Sequence, residues 1–332
     1  MILNKYMFKT INKKNLWRRF RKTGLVLGSG AARGLAHIGV LKAIKEKNVS
    51  VDMIIGSSMG ALVGACYARK GEISEIEDLV LKTDWVQLLK LADWNLALMF
   101  KGFIHGQNVR DLLETVIGDI QFKDLQIPLV VVATDLHTGK KVIITEGSVL
   151  DAVRASISIP VIFMPMKIED KFLVDGGIVD PVPVKVARKM GAKFVIASNV
   201  LQPPHMRKVF PGTKKVSVQQ ENNTVSEQLS NKLTSLILEN EEKLGNFKEI
   251  ANNLTKKITK TEQKDEADTL ECPNIFDAVF QVIYVMEYEL ARRSSDKADI
   301  VITPDTSNIA SLEFDNAEKA INEGYKAAIK LI

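Results

Sequence analysis

The segment Gly56-Ser57-Ser58-Met59-Gly60 lies where an apolar, strand-like run passes directly into a helix-like run. A tight strand-to-helix turn strains its central residue and exposes that side chain, and it requires small flanking residues because strand and helix approach closely. The start of the helix also presents free N–H groups that favour developing negative charge. The pattern predicts a nucleophilic Ser58, with Gly56 and Gly60 permitting the turn. The alternative is a glycine-rich turn whose serine has no role.

A second loop of small residues, GSGAARG at residues 28–34, follows the first strand-like run and opens the first helix-like run. In a parallel sheet this loop and the Ser58 turn lie at the same edge. Its backbone N–H groups can approach a ligand oxygen closely, which predicts an oxyanion hole. A dinucleotide site is the rival interpretation, but it requires an acidic residue at the end of the second strand. Asp52 lies at the start of that strand, so we favour the oxyanion hole.

The base that would activate Ser58 is better sought among the carboxylates than among the histidines. The chain contains four histidines, and none lies on a loop after a late strand, where a hydrolase triad histidine would come: His37, His105, His137 and His205. Asp175 ends an apolar strand in KFLVDGG and is followed by Gly176 and Gly177, which allow close approach to another loop. A partly desolvated carboxylate within reach of Ser58 could act as a general base. An ordinary turn aspartate is the alternative.

The elements that would position these residues alternate along the chain. Strand-like runs cover residues 23–28, 51–56, 128–135, 141–147, 171–175, 193–199 and 298–304. Helix-like runs cover residues 34–48, 61–70, 183–192, 274–293 and 317–332, and residues 72–120 look mostly helical. Continuous apolar strands separated by helices predict an α/β fold with a mostly parallel sheet covered on both faces. In the run at 274–293, the residues Ile275, Val279, Val282, Ile283, Met286 and Leu290 are expected to share one apolar face.

The charge of the chain is unevenly distributed. Its formal net charge is +5, but residues 1–23 carry eight Lys or Arg and no acidic residue, so the remainder sums to −3. The body is therefore not basic, and we expect no nucleic-acid partner. Basic residues mixed with large apolar ones, such as Trp17 and Phe20, suit an anionic membrane surface. A solvated leader is the other interpretation of this N-terminal arm, residues 1–22.

Two further features concern compartment. Cys66 and Cys272 form no CxxC pair, which suggests neither a disulfide framework nor a zinc site and fits a reducing compartment. The sequence has no apolar run of membrane-spanning length and no secretory signal pattern. We expect a cytoplasmic protein, with the arm as the candidate for peripheral contact at the inner face of the membrane.

GSGAARG, GSSMG and DGG, in this order and spacing, resemble the patatin-like phospholipases, especially their bacterial branch. The stretch VRASISIPVIFMPM at residues 153–166 also resembles that family's pattern before its aspartate. The resemblance implies a three-layer α/β/α patatin-like fold and a Ser-Asp dyad without histidine. By position Ser58 would be the nucleophile and Asp175 the proton acceptor. The catalytic domain would span residues 23–332, interrupted by a polar insertion at about 202–272 that has no assigned counterpart.

The resemblance further implies that N–H groups around Ser29, Gly30 and Ala31 form the oxyanion hole. Ser29 and Ala31 stand where many members carry glycine, a departure that backbone donors tolerate. The remaining motif residues would support the loops: Gly28, Arg33, Gly34, Gly56, Gly60, Gly176 and Gly177.

The implied reaction is attack of Ser58 on a fatty-acyl ester of a phospholipid, lysophospholipid or neutral lipid. An acyl-enzyme would form and then be released to water, with no metal or cofactor. The alternatives are a lipid acyltransferase, a different esterase, and a membrane-associated regulatory protein that retains the fold without turnover.

Overall fold

The computed structural model describes residues 22–82, 107–206 and 275–332. Three parts of the sequence lie outside these residues: the N-terminal arm up to residue 21, His105, and the predicted insertion from residue 207 onward. Lys22, the last residue of the predicted arm, already belongs to the sheet region, because its carbonyl accepts hydrogen bonds from the N–H groups of Lys193 and Phe194.

The helices and strands occur close to their predicted positions. The strands are β1 Thr23–Leu27, β2 Met53–Ser57, β3 Leu129–Asp135, β4 Lys141–Ile144, β5 Met166–Ile168, β6 Lys171–Asp175, β7 Phe194–Ser198 and β8 Ile300–Ile302. The helices are α1 Ala36–Glu46, α2 Met59–Lys70, α3 Ser74–Lys82, α4 Gln107–Ile117, α5 Val149–Ser156, α6 Val184–Lys189, α7 Ile275–Ser295 and α8 Ala317–Ile329. A 3-10 turn, Ala31–Leu35, precedes α1.

Eight strands of the described residues form one mixed sheet in the order β5-β6-β3-β2-β1-β7-β8, with β4 also paired to β3. Strands β3, β2, β1, β7 and β8 run parallel, and β4, β5 and β6 add antiparallel pairs at one end. The carboxyl ends of β1 and β2 therefore meet at one edge, as predicted. Strand β6 runs antiparallel to β3, and Asp175 at its carboxyl end pairs with Ala133 of β3.

Helices cover both faces of the sheet, so the molecule has the expected three layers. Side chains alternate along the strands: Leu25 and Leu27 enter a core with helices α1, α2, α5 and α8. Val26 points the other way, into a core formed with α6 and α7. The continuous apolar strands of the sequence are explained by this double burial.

Two details differ from the sequence-based expectations. Helix α5 and the short strand β5, of eight and three residues, were not predicted as elements. The predicted apolar face of α7 is wrong at Val282 and Met286, which are 58% and 54% exposed, while Tyr284 and Ala291 are buried against the sheet layer. Among the described residues, no helix is long and apolar enough to cross a membrane.

Candidate active site

Ser58 occupies a strained turn between β2 and α2. Its backbone has φ 54° and ψ −125°, a conformation that non-glycine residues adopt rarely, and α2 begins at the next residue. Both flanking glycines are required by close packing. A Cβ at Gly56 would overlap the backbone of Ala61, and one at Gly60 would overlap the backbone of Leu27 at the end of the neighbouring strand.

Asp175 reaches Ser58 across β3, the strand that lies between β2 and β6. The hydroxyl of Ser58 donates to Oδ2 of Asp175 at 2.5 Å, and the N–H of Gly177 donates to Oδ1 at 2.7 Å. Ser58 is 4% exposed and Asp175 2% exposed. Burial raises the pKa of Asp175 to about 7, although the bonds from Ser58 and Gly177 oppose the rise. A carboxylate of this pKa can hold and release a proton near neutral pH.

The two glycines after Asp175 permit the close approach of three segments. A Cβ at Gly176 would overlap the carbonyl of Val132 in β3, and one at Gly177 would lie 2.8 Å from the hydroxyl of Ser29 in the glycine-rich loop. The DGG sequence is therefore what allows β3, the Asp175 strand and the glycine-rich loop to meet.

The first two residues of the glycine-rich loop are held through their backbone. Gly28 N–H donates to the Ser198 carbonyl at 3.0 Å, and Ser29 N–H donates to the Pro181 carbonyl at 2.8 Å. Within the described part of the chain, the N–H groups of Gly30 and Ala31 have no hydrogen-bond acceptor, and both residues line the same cavity as Ser58. Of the three predicted oxyanion donors, Ser29 therefore has its N–H engaged elsewhere, whereas Gly30 and Ala31, among the residues described, do not. Ser29 instead directs its hydroxyl to the carboxylate of Glu287, at 3.4 Å.

Arg33 and Gly34 anchor the end of the glycine-rich loop. Arg33 is 1% exposed; its Nη1 donates to the Ser311 hydroxyl at 3.0 Å, and its guanidinium lies 5.2 Å from the ring centre of Tyr284 in α7. A Cβ at Gly34 would overlap the side chain of Met59, the residue that follows the serine. The two loops are thus packed directly against each other.

No histidine of the described residues contacts Ser58 or Asp175. His37 is fully buried, donating from Nε2 to the Gly28 carbonyl and accepting at Nδ1 from the Ser198 hydroxyl. Burial lowers the pKa of His37 to about 4, so it remains neutral and braces the end of β1. His137 packs edge-on against Phe172, and His205 lies on an exposed turn. The arrangement at Ser58 is a serine–carboxylate pair.

The pair lines a cavity of about 60 Å³. Its apolar walls come from the segments after α5 and after β7, from α7 and from residues before α8: Ile159, Ile162, Leu201, Phe280, Ile283 and Leu312. Such walls suit a hydrocarbon chain, although the polar side chains of Arg33, Glu287 and Ser311 also line the cavity.

Two buried hydroxyls near the pair had not been predicted as site residues. Ser156 accepts a hydrogen bond from the Ser58 N–H at 2.8 Å, and Thr134 donates to the Asp175 carbonyl at 2.7 Å. The one available signal was the run of small polar residues in VRASISIP, which the resemblance included without giving any residue a role.

Part of the chain matches a known protein family. Residues 25–188 match the family described as patatin-like phospholipase. These residues form a patatin-like phospholipase domain. The match contains the glycine-rich loop, the Ser58 turn and the DGG segment, so the family expected from the three motifs is confirmed.

Relatives share this part of the chain. An uncharacterized NTE family protein of Mycobacterium tuberculosis is 36% identical over 176 residues, covering 53% of this chain and 48% of its own length. Neuropathy target esterase sws of Drosophila melanogaster is 37% identical over 193 residues, covering 55% of this chain and 13% of its own. Patatin-like phospholipase domain-containing protein 7 of Rattus norvegicus is 35% identical over 187 residues, covering 53% and 13%.

The chain thus spans about half the length of the mycobacterial relative and a small part of the animal ones. The solved structure of VipD from Legionella pneumophila superposes with a TM-score of 0.46 at 14% identity, covering 94% of this chain and 67% of that one.

Proposed function

We propose that this chain is a serine acyl hydrolase that cleaves fatty-acyl esters of phospholipids or related lipids through an acyl-enzyme on Ser58. The observation that carries the proposal is the 2.5 Å hydrogen bond from the Ser58 hydroxyl to Asp175, made at a strained strand-to-helix turn. The patatin-like domain supports lipid-ester hydrolysis as the reaction class.

In the first half of the reaction, Ser58 Oγ attacks the ester carbonyl carbon and its proton passes to Asp175. The carbonyl oxygen becomes negatively charged, and the N–H groups of Gly30 and Ala31 are proposed to hold it. Collapse breaks the bond to the leaving alcohol, whose oxygen takes the proton from Asp175. The acyl group is left on Ser58.

In the second half, Asp175 takes a proton from water, whose oxygen attacks the acyl carbon. The bond to Ser58 Oγ breaks, Oγ recovers the proton, and a fatty acid is released. The pKa of about 7 suits Asp175 to both directions of transfer. The apolar walls around the serine are proposed to hold the acyl chain.

The test compares Ser58→Ala with Ser57→Ala by the release of p-nitrophenol from a short-chain acyl ester. Ser57 is the matched control because it is adjacent and fully buried, and its hydroxyl makes no hydrogen bond within the described residues. Ser58→Ala is expected to lose turnover and covalent labelling by a fluorophosphonate, while Ser57→Ala keeps both. Circular dichroism should be unchanged in each variant.

A folded Ser58→Ala protein that turns over at the wild-type rate would exclude the proposed nucleophile. Absence of turnover in the wild type, on soluble esters and on lipid vesicles, would favour the non-catalytic alternative. Profiling the lipid products of the purified wild-type protein identifies the head group and the acyl acceptor.

A further inference from the structure

The short segment Ser156-Ile157-Ser158, where α5 ends, contacts both members of the proposed dyad. The N–H of Ser58 donates to Ser156 Oγ at 2.8 Å, and the N–H of Asp175 donates to the carbonyl of Ser158 at 3.0 Å. These contacts join Ser58 and Asp175, which are 117 positions apart in the chain, to one short segment. Both Ser156 and Ser158 are fully buried.

The hydroxyl of Ser156 has a single arrangement of its hydrogen atom. It lies 2.6 Å from the carbonyl oxygen of Val132, which can only accept, so the hydroxyl must donate there. Its lone pair is then directed to the Ser58 N–H. Ser156 therefore connects the Ser58 turn to the middle of β3, the strand that separates Ser58 from Asp175.

The segment itself is held from within α5. Arg154 Nη1 donates to Ser158 Oγ at 2.6 Å, and Ser158 Oγ donates to the Arg154 carbonyl at 2.8 Å. The guanidinium of Arg154 also lies 5.5 Å from the ring centre of Phe163. The segment Ser156-Ile157-Ser158 is therefore held by contacts of its own, in addition to those that it makes with Ser58 and Asp175.

We propose that Ser156 is a positioning residue for the reaction: by binding the Ser58 N–H and the Val132 carbonyl, it holds the strained turn at the separation from Asp175 that proton transfer requires. The inference rests on the proposed function, in which Ser58 is the nucleophile. It gives VRASISIP a role, because this stretch supplies the link between the two reacting side chains.

Ser58 needs this link because its φ of 54° is unfavourable for a side chain-bearing residue. Without the Ser156 hydroxyl, the Ser58 N–H would have to find another acceptor, and the turn could relax away from Asp175. A displacement of about 1 Å from the reactive geometry can lower a rate roughly 100-fold. Substrate binding by the apolar walls would be affected far less.

The experiment measures kcat, KM and the pH dependence of kcat/KM for Ser156→Ala on p-nitrophenyl butyrate, with unfolding followed in parallel. We expect kcat to fall roughly 10- to 100-fold with KM nearly unchanged. The acid limb of the kcat/KM profile should shift to higher pH. In the wild type the hydrogen bond from the Ser58 hydroxyl lowers the pKa of Asp175, and a longer bond in the variant would lower it less. Ser295→Ala is the control, since this buried hydroxyl donates to the Ala291 carbonyl in α7, remote from the dyad.

Ser156→Cys fills nearly the same space with a poor acceptor, so it tests the link if the alanine variant fails to fold; it should show the same loss of kcat. Ser156→Thr retains the hydroxyl and should recover part of the rate. Folded Ala or Cys variants with wild-type kcat and an unshifted acid limb would overturn the inference. Ser58→Ala run beside them separates the cases: wild-type turnover in that variant rejects the nucleophile itself, not the role of Ser156.

Discussion

The two loops of the candidate site lie at one edge of the sheet but are held by different chemistry. The start of the glycine-rich loop is fixed by backbone bonds from Gly28 to Ser198 and from Ser29 to Pro181, and farther along the Arg33 side chain binds Ser311. The Ser58 turn is fixed by side chains, since its N–H bonds to the Ser156 hydroxyl and its Oγ to the Asp175 carboxylate.

This difference determines which substitutions each loop tolerates. The backbone-held start of the glycine-rich loop accepts changes of polarity but not of bulk, because added atoms displace the main chain. A turn held by hydroxyl and carboxylate groups is sensitive to the loss of one polar atom. Activity should therefore be lost through added bulk in the glycine-rich loop, but through the loss of a single polar group at the Ser58 turn.

The largest effect is expected for Asp175→Asn, which keeps the size of the side chain but cannot take a proton. Turnover of a soluble acyl ester should fall by about 100- to 10,000-fold, the usual contribution of a general base. His137→Ala is the control, because His137 contacts Phe172 and neither member of the dyad. If the histidine variant were as inactive as the Asn variant, the histidine-free mechanism would be wrong.

The same substitution should change how stability depends on pH. The pKa of Asp175 is about 7 in the folded protein and near 3.8 in the unfolded chain, so the folded state binds the proton more tightly. The wild type should thus lose stability as pH rises from about 4 to about 7. Asp175→Asn should lack this component and be the more stable protein at pH 8, which urea unfolding at several pH values measures.

A smaller loss is expected for Gly30→Val in the backbone-held loop. A Cβ at this position would overlap the side chain of Val200, so the loop must shift and carry its N–H groups away from the oxyanion. Losing such a donor costs about 2.7–4 kcal/mol of transition-state stabilisation, or roughly 100- to 1,000-fold in kcat. Pre-steady-state acylation measures this rate, and an effect confined to KM would contradict the oxyanion assignment.

The smallest effect on the site is expected from removing the basic arm, which we propose contacts anionic lipid. The deletion should end at residue 21, because the Lys22 carbonyl binds the N–H groups of Lys193 and Phe194. Turnover of a soluble ester should be unchanged, while binding to phosphatidylglycerol vesicles weakens. Each basic residue near such a surface contributes about 1 kcal/mol, an effect that salt screens.

Vesicle flotation at low and high salt compares the full chain with the truncated one. Equal binding by both proteins would mean that the arm is a solvated leader. A loss of soluble-ester turnover would mean instead that the arm supports one of the two loops.

Much of the site could be predicted from the sequence because its chemistry is local. The Ser58 turn needs glycine two positions away on each side, and the strand–turn–helix pattern is contained within residues 51–70. Asp175 could be predicted because two glycines follow a strand end. By contrast, Ser156 carries no local pattern: its role depends on contacts with Ser58 and Val132, which are distant in sequence.

Helix α7 shows the same limit on a larger scale. Its sequence is apolar on more than one side, and periodicity alone predicted that Val282 and Met286 would face the core. The structure buries Tyr284, whose hydroxyl accepts from the N–H and donates to the carbonyl of Gln202, and leaves Val282 and Met286 exposed. The side of α7 that faces the sheet thus includes Tyr284, whose backbone partner Gln202 is distant in the sequence.

The sequence by itself determined most of the strands and helices, the strained serine turn and the small residues that let three segments meet, because these follow from backbone geometry within a few residues. Only the tertiary structure decided that Asp175 reaches Ser58 across β3, that the Ser29 N–H is engaged elsewhere, and that Ser156 joins the turn to the sheet. Those features depend on strand order and on which buried N–H meets which oxygen, and both are set only when distant segments pack together.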